Sequence, residues 1–224
     1  NLFLEKNKIT NISFRVTVDS APILEKPLAS RCSKGFIGKN TLFIHPQKGS
    51  FFLLAEILTN LDLDCDKKQH VDNTKRDKTL GGCGTCKRCQ IHCPTNALDA
   101  DYKLDARKCI SYYTIEHRDT IPINYWKYLG KSIFGCDICQ QVCPYNKKIE
   151  YNKNLDYLKI KSLPSLSQIA LMSQPEYELF FSATPMTRAK RSGLRRNALI
   201  AMVVTKDKSL PLVLENLKDC EDQV

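Results

Sequence analysis

The chain has no run of eighteen apolar residues, so no membrane-spanning helix is expected. No secretory signal is legible at its start. It contains neither GxGxxG nor a Walker-type GxxxxGK[ST], which removes the two commonest nucleotide-phosphate loops. It begins at Asn1 rather than Met and runs at once into sheet-like sequence, so we expect a fragment of a longer protein. What the chain does have is cysteine and positive charge. Its 224 residues carry 11 cysteines and a net charge of +10, with 42% hydrophobic residues, enough for packed cores. A basic balance fits either an acidic partner, nucleic acid foremost, or a merely solubilising surface.

The first part reads as strands and turns. "SFRVTV" (13–18) alternates, with Phe14, Val16 and Val18 on one face, and predicts a half-buried strand. "TLFI" (41–44) predicts a short apolar strand, and "FFLLAEILT" (51–59) a strand paired with it. The polar stretch 62–80 reads as a linker, with a domain boundary near residue 80. From about 154 the pattern turns helical, with capping serines and a proline break in "SLPSLSQIALMSQPEYELFF". A further helix keeps Leu194, Ala198, Ala201 and Met202 on one face. These short helices suggest a helical repeat.

Eight of the 11 cysteines fall between residues 83 and 143. The first run is Cys83-x2-Cys86-x2-Cys89-x3-Cys93-Pro94, the spacing of bacterial two-cluster ferredoxins. Cys109 stands alone, and Cys136-x2-Cys139-x3-Cys143-Pro144 repeats the motif with its first cysteine displaced upstream. Three closely spaced thiolates occupy three corners of a cubane from one tight loop, which Gly82 and Gly84 would allow. The Cys-Pro cysteine lies too far along to close the same cluster. The spacing therefore predicts a crossed arrangement: Cys83, Cys86, Cys89 and Cys143 on one 4Fe–4S cluster, and Cys93, Cys109, Cys136 and Cys139 on the other. Structural zinc can use paired CxxC motifs, but one zinc needs four ligands where this run offers eight thiols. A secreted disulfide framework belongs to shorter chains. Cys32, Cys65 and Cys220 read as ordinary thiols, and His92 as a bystander. Clusters capped entirely by thiolate transfer single electrons and need an acceptor.

"VDSAPILEKPLASRCSKGFIGKNTLFIHPQKGSFFLLAEILT", "CGTCKRCQIHCPTNAL", "KCISYYTIEHRDTIP" and "GCDICQQVCPYN" together resemble the epoxyqueuosine reductases of the tRNA queuosine pathway. The cysteine motif alone fits reductive dehalogenases equally; the parts outside it favour the tRNA enzymes. The resemblance implies an α+β fold: a partial cobalamin-binding α/β region (1–80), a ferredoxin-like two-cluster domain (81–150) and a C-terminal α-helical, HEAT-like segment that binds tRNA (151–224). It implies cobalamin beside two 4Fe–4S clusters and reduction of epoxyqueuosine to queuosine at the wobble position of tRNA. An external electron donor, a monomer and a cytoplasmic location complete the expectation.

On its residues alone Asp19 reads as a turn or capping carboxylate ahead of Ser20 and Pro22. The resemblance makes it the general acid, through the family's Asp-Thr/Ser-x-Pro motif. Lys26, Arg31, Gly35, Gly38, Lys39 and Asn40 match the family's cobalamin neighbourhood, with Phe36 where Trp is commoner and Lys26 where Arg is usual. The glycines would let the backbone approach a corrin, and Lys39 and Asn40 would bond its amide arms or order the loop. Arg188, Lys190, Arg191, Arg195 and Arg196 crowd into nine residues without an acid. That run reads either as a solvated helix face or as a phosphate-binding surface for tRNA. A small-molecule cobalamin enzyme and a bare ferredoxin-type carrier are the alternative functions.

Overall fold

The structure is a computed structural model and describes residues 12–18, 21–32, 34–63, 81–130, 132–147, 149 and 162–218. It is a mixed fold of short strands and many helices. Strand β1 (Phe14–Thr17) pairs antiparallel with β4 (Glu56–Thr59), Phe14 facing Thr59 and Thr17 facing Glu56. Between them come helix α1 (Glu25–Arg31) and a second two-stranded pair, β2 (Phe36–Ile37) with β3 (Phe43–Ile44). The cysteine region carries α2 (Arg88–Ile91), α3 (Ile110–Ile115), α4 (Ile123–Leu129) and α5 (Ile138–Gln141). The C-terminal part carries α6 (Leu166–Leu171), α7 (Gln174–Phe181), α8 (Lys190–Thr205) and α9 (Leu210–Leu217).

Two expectations about the strands are corrected. The segment "EILT" does not pair with "TLFI"; it joins β1, while "FI" of β3 pairs with β2. In addition, the alternating face of β1 is not buried. Phe14 and Val16 are 55% and 57% exposed, and Thr17 is the buried residue of the strand. A period of two shows which side chains share a face, but not which face another layer covers.

The helical part follows its sequence signals closely. Ser165 caps α6, its Oγ accepting the Gln168 N–H while Gln168 Oε1 accepts the Ser165 N–H. Ser173 caps α7 in the same reciprocal way with Glu176. Pro175 sits in the first turn of α7, where its missing N–H costs nothing. Helix α8 is the spine. Leu194, Ala198 and Met202 enter one core with Ile169, Tyr177, Phe181 and Val213, and Ile200 enters a second core with Ile110, Tyr113, Ile121 and Leu129. The four residues expected on one face of this helix are all buried, but so is most of its circumference.

That burial overturns part of the basic-face expectation. Arg195 and Arg196 are 2% and 6% exposed and point inward. Arg195 donates from Nε to the Ala170 carbonyl at 2.8 Å and from Nη2 to the Met172 carbonyl at 3.1 Å. Arg196 donates to the carbonyls of His117 (2.9 Å), Asp119 (2.7 Å) and Tyr113 (2.8 Å). Burial first, then the neighbouring Arg118, pushes its guanidinium below the usual range. A guanidinium keeps its charge there and is held by the fixed fork of donors it offers to carbonyl oxygens. Arg188 is half exposed and paired with Glu116 at 2.6 Å, and Arg191 donates to Gln174 Oε1 at 3.1 Å. Lys190 is exposed.

Asn197 completes the hub. It accepts from Arg196 through Oδ1 and donates from Nδ2 to the carbonyls of Thr114 (2.8 Å) and Ile133 (2.9 Å). Thr114 Oγ1 in turn accepts the Gly135 N–H at 2.9 Å. Helix α8 thereby fixes the two backbone stretches that follow Cys109 and precede Cys136. Replacing Asn197 by the similarly sized Leu orphans these carbonyls in a dry site. We expect a loss of about 2–4 kcal/mol in denaturant unfolding; a loss within about 0.5 kcal/mol contradicts the hub.

Candidate metal centre

The first cysteine loop is shaped by backbone conformation. Gly81 and Gly84 adopt positive φ (78° and 50°), whereas Gly82, expected to share that task, does not. The Cys86 N–H donates to the Cys83 carbonyl at 2.9 Å, closing a tight turn that leads into α2, which carries Cys89. The second loop repeats the plan: Gly135 at φ 75° precedes Cys136, and α5 carries Cys139. Helices α2 and α5 pack against each other. Each ends a few residues before a Cys-Pro pair. The chain leaving each helix therefore turns toward the loop beside the other.

The thiols sort accordingly. A cavity of about 270 Å³ is lined by Cys83, Cys86, Cys89 and Cys143. A second, of about 470 Å³, is lined by Cys93, Cys109, Cys136 and Cys139. The described cysteines are all free of disulfides. Among the described residues no three His, Cys, Asp or Glu side chains converge as ligands of a single ion. Four thiols spaced around a cavity suit a cubane, whose corners stand farther apart than the ligands of one zinc. His92 is exposed, its Nδ1 bonded to the Arg88 carbonyl. Cys32 is exposed, and Cys65 and Cys220 lie outside the described residues.

Burial raises the thiols of Cys89, Cys136 and Cys143 above the usual range and pushes Cys139 up to about 12. Without a metal these thiols hold their protons; a bound metal takes the proton's place and cancels the charge that burial penalises. Backbone donors already point at sulfur. The Lys39 N–H donates to Cys83 Sγ at 3.3 Å, and the Ala97 N–H to Cys93 Sγ at 3.2 Å.

Several residues that build this site escaped the sequence reading. Tyr145, directly after Cys143-Pro144, accepts the Gly82 N–H at 3.1 Å and donates to the Gly82 carbonyl at 3.0 Å, tying the two cysteine loops together. Its ring lies edge-on to Phe36, with centroids 5.2 Å apart. Asn146 accepts the Ser50 N–H at 2.7 Å and donates to Ser50 Oγ and the Gln140 carbonyl. At Gly49, φ is 69° and a Cβ would lie 1.9 Å from Asn146 Oδ1, so a side chain there is excluded. The "YN" after the second Cys-Pro was the available signal.

The expected cobalamin residues fare differently. A Cβ on Gly35 would meet the Ile44 carbonyl oxygen at 2.3 Å, and one on Gly38 the Ile44 Cδ1 at 2.5 Å. Both glycines pack closely on β3. Lys39 and Asn40 are buried; Lys39 Nζ pairs with Asp101 at 3.0 Å and Asn40 Oδ1 accepts the Leu42 N–H. Both line the Cys83 cavity, and Asn40 lines the second one too. Lys26 donates to the Thr41 carbonyl at 3.1 Å, and Arg31 is exposed in the last turn of α1. Asp19 lies outside the described residues.

Comparison with known proteins agrees with the cysteine geometry. Residues 82–146 match the family described as "4Fe-4S double cluster binding domain". Epoxyqueuosine reductase of Vibrio cholerae is 34% identical over 88% of this chain and 51% of its own length. That of Salmonella typhimurium is 39% identical over 86% of this chain and 48% of its own. Among solved structures, a selenomethionine-labelled epoxyqueuosine reductase superposes with a TM-score of 0.83 at 27% identity, over 98% of this chain and 56% of that one. An epoxyqueuosine reductase with an epoxyqueuosine-modified tRNA-Tyr stem loop superposes with a TM-score of 0.82 at 28% identity, over 98% of this chain and 57% of that one. In sequence and in fold, then, this chain is a relative of the epoxyqueuosine reductases along most of its length, and it spans about half of theirs.

Proposed function

We propose that this chain is part of an enzyme that reduces epoxyqueuosine to queuosine at the wobble position of tRNA, with electrons passing through two 4Fe–4S clusters. The sorting of eight thiols into two quartets carries the reading, because it lies in a chain related to epoxyqueuosine reductases over most of its length. In this reading Cys83, Cys86, Cys89 and Cys143 hold one 4Fe–4S cluster, and Cys93, Cys109, Cys136 and Cys139 the other. The donor set fits such clusters: all-sulfur, half-buried or buried, with backbone N–H groups aimed at Cys83 and Cys93.

Converting an epoxide to an olefin takes two electrons and two protons and releases water. When bound, the clusters supply one-electron transfer, and cobalamin, which rests on the resemblance alone, supplies the reducing centre. The thiolates orient and insulate the relay. Tyr145, Asn146 and the α8 hub hold its loops in place. Asp19 is the proposed general acid, delivering a proton to the departing oxygen. The external basic groups Arg188, Lys190 and Arg191 are the proposed contacts to tRNA phosphate; Arg195 and Arg196 are withdrawn from that role by their burial. The bound stem loop of a structural neighbour supports tRNA as substrate. No described helix is long and apolar enough to cross a membrane. The reading keeps a single copy in the cytoplasm, with residues 1–80 part of the cobalamin region, 81–150 the two-cluster domain and 151–224 the HEAT-like segment.

Anaerobic reconstitution with iron and sulfide should load about eight iron atoms per chain. Pairs of Cys→Ser substitutions then read the crossing. Cys86→Ser with Cys143→Ser should cost one cluster, whereas Cys139→Ser with Cys143→Ser should cost both. The reverse pattern contradicts the ligand sets. With cobalamin, a low-potential reductant and an epoxyqueuosine-containing tRNA stem loop, a version extended to the full length of the relatives should form queuosine. Asp19→Asn should slow it by about 100-fold or more. A loaded, extended protein that forms none contradicts the function.

A further inference from the structure

Lys39 is a buried ammonium at the wall of the Cys83 cavity. Its side chain is 5% exposed, its own N–H donates to Cys83 Sγ at 3.3 Å, and its Nζ pairs with Asp101 Oδ2 at 3.0 Å. Asp101 is 45% exposed and also accepts from Gln90 Nε2 at 3.1 Å, so its charge is partly screened by water. Arg88 lines the same cavity but is exposed, where solvent and salt dissipate its field. The second cavity sets polar groups such as Thr41, Thr95 and Ser111 beside Ala97, Leu98 and Ile110, and its charged lining is Lys26 and the exposed Asp137. Its cation, Lys26, is exposed and bonded to a carbonyl. The two thiol quartets thus sit in unlike electrostatic surroundings.

From this asymmetry we propose that Lys39 sets the two clusters' reduction potentials apart, making the cluster of Cys83, Cys86, Cys89 and Cys143 the easier one to reduce. The proposal rests on the cluster assignment above. A 4Fe–4S cluster with four thiolates goes from dianion to trianion when it takes one electron from a low-potential donor, and no bond forms or breaks. A fixed positive charge in a poorly solvated wall favours the more negative state, and an N–H aimed at a ligand sulfur acts in the same direction. Lys39 therefore acts through the field it places on the cluster and through the orientation of Cys83; it is a positioning residue. Asp101 holds the ammonium in place and at the same time offsets part of its charge.

The test is an EPR-monitored reductive titration of the reconstituted 224-residue chain and of its variants, with iron and sulfide counted in each sample. Two separate one-electron waves are expected in the unaltered chain. Lys39→Met should move one wave to lower potential by at least about tenfold in the reduction equilibrium, about 59 mV for one electron, and leave the other in place. Lys39→Arg should restore most of the shift. Asp101→Asn, in the more exposed partner, should move the same wave upward. Opposite shifts from the two partners of one ion pair are not produced by simple loosening of the loop. Failure of the unaltered chain to hold two clusters overturns the assignment and the proposal with it. Two clusters whose potentials do not respond to Lys39→Met and Asp101→Asn, or shift together in one direction, overturn the proposal alone.

Discussion

The packing of α2 against α5 is the constraint on which the rest of the site depends. Each short helix delivers cysteines to the cavity on its own side. Each then hands the chain, through a Cys-Pro turn, to the cavity of its neighbour. Because the exchange is mutual, neither quartet can be completed unless both helices are in place. Tyr145 and Asn146 reinforce the exchange where Cys143 leaves α5, bonding back to Gly82 and Ser50 on the opposite side. A fold built this way buries the thiols enough to raise those of Cys89, Cys136, Cys139 and Cys143 above the usual range. That is the environment in which a metal replaces protons most effectively.

The C-terminal helices extend the same logic. A guanidinium and a carboxamide from α8, Arg196 and Asn197, meet the carbonyls that the α3 segment and the loop before Cys136 leave unpaired. The polar groups of one part satisfy the backbone of another, so the helical part and the cysteine part share a core as well as a boundary. Arginine suits this place because it presents several donors in a rigid plane and stays charged when buried.

What could be read from the sequence is what chemistry demands locally. The cysteine spacing follows from the geometry of a loop that offers three thiols, and the displaced fourth cysteine follows from chain length. The Ser165 and Ser173 caps announce their helices because unpaired N–H groups need an oxygen at that position. What could not be read depends on neighbours distant in the chain. Phe14 and Val16 alternate as a strand should, yet nothing in their order says whether a second layer covers them. Arg195 and Arg196 look like part of a basic surface because charge density does not reveal which carbonyls lack donors. Nor does the order of residues show that Gly35 and Gly38 pack against Ile44. Lys39, which the resemblance assigns to cobalamin, stands in the wall of a thiol cavity, a place its own loop does not reveal.

These observations converge on an interlocked pair of thiol quartets whose members are exchanged between two similar loops. The most direct measurement is an iron-edge anomalous difference map from crystals of the reconstituted chain. The account predicts two separate clusters of anomalous density, with Cys143 bonded to the one beside Cys83 and Cys93 bonded to the one beside Cys136. A single iron site, or Cys143 bonded to the same cluster as Cys139, would contradict it.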